Sequence, residues 1–152
     1  MIGCYPYWYW INPCVAIPSG QGPVPEWTRD SNFEYISADA IPAMIQIQPP
    51  LLQGSIICDM RIKVRAVKSG DGIRVKVMRR DEDTIATPYT QVGDTLSWDA
   101  SSDMTEPALI DFELVPVTIE AGYSYVIQII NYGEAGIVYL YALGIQTARR
   151  IL

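Results

Sequence analysis

Asp59-Met-Arg-Ile-Lys-Val-Arg-Ala-Val67 alternates apolar and polar side chains residue by residue. Met60, Ile62, Val64 and Ala66 fall on one side of an extended chain, and Arg61, Lys63 and Arg65 fall on the other. That period of two belongs to a strand with one face buried and one face wet. Ser69-Gly-Asp-Gly72 then supplies turn residues, and Ile73-Arg-Val-Lys-Val77 alternates again. The pattern predicts a β-hairpin. Arg61, Lys63, Arg65, Arg74 and Lys76 would then project from one cationic face.

The rest of the chain from Asn32 onward reads in the same way. Ile110, Phe112 and Leu114 alternate with Asp111 and Glu113, and the strand continues to Ile119 through Pro116, which marks an edge or bulge position. Glu120-Ala-Gly122 turns the chain into the strand Tyr123 to Ile130. Asn131-Tyr-Gly-Glu-Ala-Gly136 turns it into a second, Ile137 to Leu143. Shorter candidates are Phe33 to Ser37, Met44 to Gln48, Thr84 to Thr87 and Thr95 to Trp98. No stretch sustains apolar spacing at the helical period. The expectation is an all-β antiparallel sandwich or jelly roll of about eight strands.

Residues 1–31 differ from the body, 32–152. They carry no charge before Glu26 and are rich in aromatics, Pro and Gly. Pro6, Pro13, Pro18, Pro23 and Pro25 predict an extended, irregular arm rather than a central strand. They also break any secretory or membrane-spanning helix, so the mature chain is expected to begin at Met1.

Composition limits the chemistry. The 152 residues hold no histidine, which removes the usual neutral-pH base, the Ser-His and Cys-His nucleophile pairs and most catalytic zinc sites. A formal net charge of -6 disfavours nucleic acid and anionic membrane as partners. Cys4, Cys14 and Cys58 form no Cys-x-x-Cys pair. Reduced thiols are preferred over a Cys4–Cys14 bridge, in keeping with a protein assembled in a cytoplasm. No catalytic set, metal site or cofactor is expected. Asp81-Glu-Asp83 and Asp99, Asp103 and Glu106 read as solvated acidic turns before they read as calcium ligands. A carboxylate-based glycan hydrolase would need two acids facing each other across a groove, and nothing marks such a pair.

The run Leu114-Val-Pro-Val-Thr-Ile119, then Glu120-Ala-Gly-Tyr-Ser-Tyr-Val-Ile-Gln-Ile129, then the Gly-bounded strand to Leu143, resembles the closing strands of jelly-roll modules. Such modules recur in carbohydrate-binding modules and in the accessory proteins of tailed-phage virions. The resemblance covers about a fifth of the chain and is one of architecture. For phage proteins of this kind it implies attachment to a capsid or tail, self-association (often as trimers) and a place in the virion after assembly in the host cytoplasm.

Six rings are the candidate partner anchors: Tyr5, Tyr7, Trp8, Tyr9, Trp10 and Trp27. Tyr and Trp bury large areas at low entropic cost and dominate interfaces. Docking to other virion subunits is preferred over an arm folded back on its own body. The alternative occupant is a glycan stacked on Tyr and Trp rings, with Tyr123, Tyr125, Tyr132, Tyr139 and Tyr141 as further candidates. It ranks second because sugar platforms sit on rigid sheets or loops, and these rings sit in an arm. For the cationic face, a cross-strand ladder with Asp111 and Glu113 is preferred over an acidic patch on a neighbouring subunit.

Overall fold

The computed structural model describes residues 2–13, 17–19, 27–29, 35–38, 44–47, 52–83 and 88–150. Cys14, the candidate strand 84–87 and the side chains of Cys4, Tyr5 and Tyr7 lie outside the described part. Among the described residues, eleven strands occur: β1 (Ile2–Ile11), β2 (Ile17–Ser19), β3 (Thr28–Arg29), β4 (Ile36–Ala38), β5 (Met44–Ile47), β6 (Ser55–Ala66), β7 (Gly72–Asp81), β8 (Thr90–Asp99), β9 (Ala108–Thr118), β10 (Tyr123–Tyr132) and β11 (Val138–Arg150).

They form two antiparallel sheets. In the first the order is β3-β4-β11-β6-β9, with β1 also pairing β11. In the second it is β2-β5-β10-β7-β8. From β4 to β11 the chain crosses between sheets at every connection except β7 to β8. The resulting neighbours, β4-β11-β6-β9 opposite β5-β10-β7-β8, are the two four-stranded sheets of a jelly roll.

This topology corrects the hairpin. β6 pairs with β11 and β9, whereas β7 pairs with β10 and β8. The turn between them, with Gly70 at φ 85°, carries the chain from one sheet to the other. Both strands alternate as expected, but a turn between two alternating strands is compatible with either connection. Packing decides. Ile62, Val64 and Ala66 of β6 and Ile73, Val75 and Val77 of β7 are buried in one core, where the two apolar faces oppose each other. The cations are thereby split, with Arg61, Lys63 and Arg65 outside the first sheet and Arg74 and Lys76 outside the second. A hairpin would have set like charges across from one another. The sandwich puts its whole thickness between them.

The N-terminal segment is also more regular than expected. β1 runs antiparallel to β11, from Ile2 opposite Arg150 to Ile11 opposite Leu143, with a register shift between Cys4 and Trp8. Pro6 falls inside that shift, and among the described residues β1 lies at an edge; a strand tolerates proline in both settings. The prolines therefore kept this segment out of the sheet interior without keeping it out of the sheet. β2 and β3, also within residues 1–31, pair with β5 and β4. Pro116 sits in β9, which ends its sheet as the sequence led one to expect. β11 continues to Arg150, well past the predicted end at Leu143.

Candidate functional site: the outer face of the first sheet

The period of two divides the N-terminal rings between two directions. Trp8 pairs with Gln146 and Trp10 with Gly144, while Tyr9 pairs with Ile145, whose side chain is buried in the core. Trp8 and Trp10 therefore lie over the outer face of the first sheet, and Tyr9 takes the inward side at the sheet's edge. Tyr9 is nonetheless 50% exposed and Trp10 51%. Trp27 does neither job. It is 6% exposed and belongs to the core, which removes it from the partner-facing rings. Its neighbours in sequence did not reveal this, because an isolated Trp before a short strand carries no periodicity.

Across the outer face the registers stack residues in rows. One row runs Trp8, Gln146, Asp59, Glu113, and the next runs Trp10, Gly144, Arg61, Asp111. Asp59 reaches this face because β6 changes register at Cys58 against both neighbours. Ile57 is buried before the shift and Met60 after it, so the inward phase slips by one. Such bulges re-aim side chains. The irregular run Ile56-Ile57-Cys58 is its signal in the sequence, just ahead of the alternation that starts at Asp59.

The Trp8 and Trp10 ring centroids lie 6.3 Å apart with their planes inclined at 33°. The Arg61 guanidinium sits 4.2 Å from the Trp8 centroid and its Nε donates to Asp111 Oδ1. Trp8, Asp59, Arg61, Asp111 and Glu113 border a cleft of about 240 Å³. The expected ladder is thus present between Arg61 and Asp111. On the same face, Lys63 lies 6.0 Å from the Tyr141 ring and Arg65 4.3 Å from that of Tyr139, and Tyr35 contacts both rings at 5.2 Å.

No family model matches the chain, and no curated protein matches it. Among solved structures it is similar to a chain in the structure of infectious bursal disease virus, Gx strain, with 11% identity and a TM-score of 0.36, over 100% of this chain and 36% of that one.

The remaining sites named from sequence fall elsewhere. On the second sheet, Arg74 lies 3.7 Å from the Tyr132 ring and donates to Asp99 Oδ1 at 2.7 Å, and Arg79 lies 4.5 Å from the Tyr123 ring. Lys76 pairs with Gln128 across the strands. Tyr125 is buried, its hydroxyl donating to the Thr118 carbonyl and accepting from the Glu120 amide. Of the acidic loop residues, Asp99 is held by Arg74, and Asp103 by Lys68 and the Ser69 amide. Among the described residues, no three carboxylates or thiolates converge as metal ligands.

Proposed function

We propose that this protein is a non-enzymatic structural subunit of a virion, a phage capsid decoration, head-fibre or tail accessory protein, that assembles through its N-terminal strand. The observation that carries the reading is the condition of β1. It is an edge strand whose only ladder among the described residues is with β11, and it presents a half-exposed Tyr9 beside its outer edge. A strand edge that carries an exposed aromatic ring is a template for strand addition by another subunit. The jelly-roll architecture and its resemblance to virion accessory modules support the setting. The absence of histidine from the sequence supports a role without turnover.

Sedimentation velocity tests this. The full chain should sediment as a closed oligomer, and Tyr9→Lys should sediment as a monomer with an unchanged circular dichroism spectrum. A wild-type chain that stays monomeric at all accessible concentrations and does not bind purified capsids or tails would remove the basis for the reading.

A further inference from the structure

We propose that the outer face of the first sheet, centred on Trp8 and Trp10, is a binding site for a neutral oligosaccharide. Three features converge there. Trp10 lies flat on Gly144, with ring atoms 3.0 to 3.1 Å from where a side chain at that position would begin, and half of its surface faces solvent. One broad face is thus supported by the sheet and the other is open. The axial C–H bonds of a hexopyranose with equatorial hydroxyls form a flat apolar face that matches such a ring.

The cleft beside Trp8 supplies the complementary polar groups. Asp59, Asp111 and Glu113 offer acceptor oxygens and Arg61 offers planar donors, all within one bordered space. Sugar hydroxyls both donate and accept, so a mixed set of carboxylate and guanidinium recognises them. Arg61 is braced between the Trp8 ring and Asp111, so its geometry is fixed before a ligand arrives. Carboxylates outnumber the guanidinium three to one around the cleft. That balance repels uronic and sialic acids and selects a neutral glycan.

Strand alternation lets this site coexist with assembly through Tyr9, which points to the other side of β1. The site is built by four strands, β1, β11, β6 and β9, so it has the rigid sheet platform that an unstructured arm would lack.

The test is titration calorimetry of the full chain with cellohexaose and fully N-acetylated chitohexaose, neutral β-linked hexasaccharides, and with hexagalacturonate as the anionic counterpart. Saturable heat with at least one neutral hexasaccharide and none with hexagalacturonate is expected. Trp10→Ala should weaken binding by about tenfold or more. Tyr89→Ala, which removes a half-buried ring beside Arg80 of the second sheet, should leave it unchanged. If Trp10→Ala fails to fold, Glu113→Gln takes its place and should weaken binding several-fold. The proposal is overturned by absence of heat with both neutral ligands, by equal binding of hexagalacturonate, by unaltered affinity in the folded variant, or by equal loss with Tyr89→Ala. Release of new reducing ends would overturn a binding role in favour of hydrolysis.

Discussion

The indole of Trp10 rests on Gly144, across the ladder that joins the first strand of the chain to the last. A β-carbon at residue 144 would stand 3.0 Å from the ring, closer than a side chain tolerates without displacement. Glycine here is a matter of space rather than of backbone conformation. Gly144→Val should lift the ring, open the Trp8–Trp10 pair and destabilise the protein by about 1–3 kcal/mol, with Gly144→Ala milder. Near-ultraviolet circular dichroism and thermal melting report both effects. A Gly144→Val protein with wild-type aromatic dichroism would show that the ring does not lie there.

The separation of the cations on two sheets makes a second prediction. In a hairpin, Arg65 and Arg74 would repel, and removing either would relieve the other. With the core between them, the effects of Arg65→Ala and Arg74→Ala on stability should add to within about 0.3–0.5 kcal/mol. A double-mutant cycle in urea measures this. A coupling well above that range would favour the hairpin.

That contrast shows what the sequence could carry. Alternation in β6, β7 and β10 is local, and each strand was found close to its position. The partner of each strand is not local. Val67 to Asp71 contains the same turn residues whether the next strand turns back or crosses over, and only the burial of both apolar faces in one core distinguishes them. The site was half legible for the same reason. Trp8 and Trp10 stood out as a ring cluster, but their neighbours Asp59, Arg61 and Glu113 come from strands about fifty and a hundred residues away, brought alongside by register and by a bulge. Trp27, grouped with the rings by proximity, went to the core.

Gly133 provides a test of the loops that close one end of the sandwich. It has φ 124°, and a methyl group there would run into Asp71, 2.7 Å from its Cα. Asp71 is buried, and its Oδ1 accepts the Ala135 amide at 3.2 Å while its carbonyl accepts the Ala100 amide at 2.8 Å. It therefore ties three connections together. Gly133→Ala combines backbone strain with overlap and should cost about 3 kcal/mol. Gly93, at φ 76° with open space around it, isolates the strain alone. Chemical denaturation of both variants should place Gly133→Ala well below Gly93→Ala, and equal losses would mean that Asp71 does not constrain residue 133.

Tyr125 joins β10 to the turn after β9. Its hydroxyl donates to the Thr118 carbonyl at 3.2 Å and accepts from the Glu120 amide at 3.1 Å. Tyr125→Phe keeps the buried ring and removes both bonds. Because Glu120 is exposed, water can partly replace the tyrosine, so the expected loss is about 1 kcal/mol. Urea denaturation showing no loss would indicate that solvent replaces both bonds in full.

The last prediction concerns pH and the exposed turn before β7. Asp103 accepts the Ser69 amide at 2.9 Å and the Lys68 ammonium at 3.1 Å. The Ser69 amide first, and Lys68 second, hold its carboxyl below the ordinary value of 3.8. A lowered value in the folded state means that folding favours the charged form. The stabilisation is therefore fully present above the ordinary value and disappears as the pH falls through the lowered one. Wild type should melt above Asp103→Asn near about pH 7, and the gap should close on acidification to about pH 2. Added salt should shrink the Lys68 contribution, which is exposed to solvent, more than that of the Ser69 hydrogen bond. Melting curves for the two proteins across this range decide the matter, because a gap that persisted or widened in acid would require an origin other than the charge on Asp103.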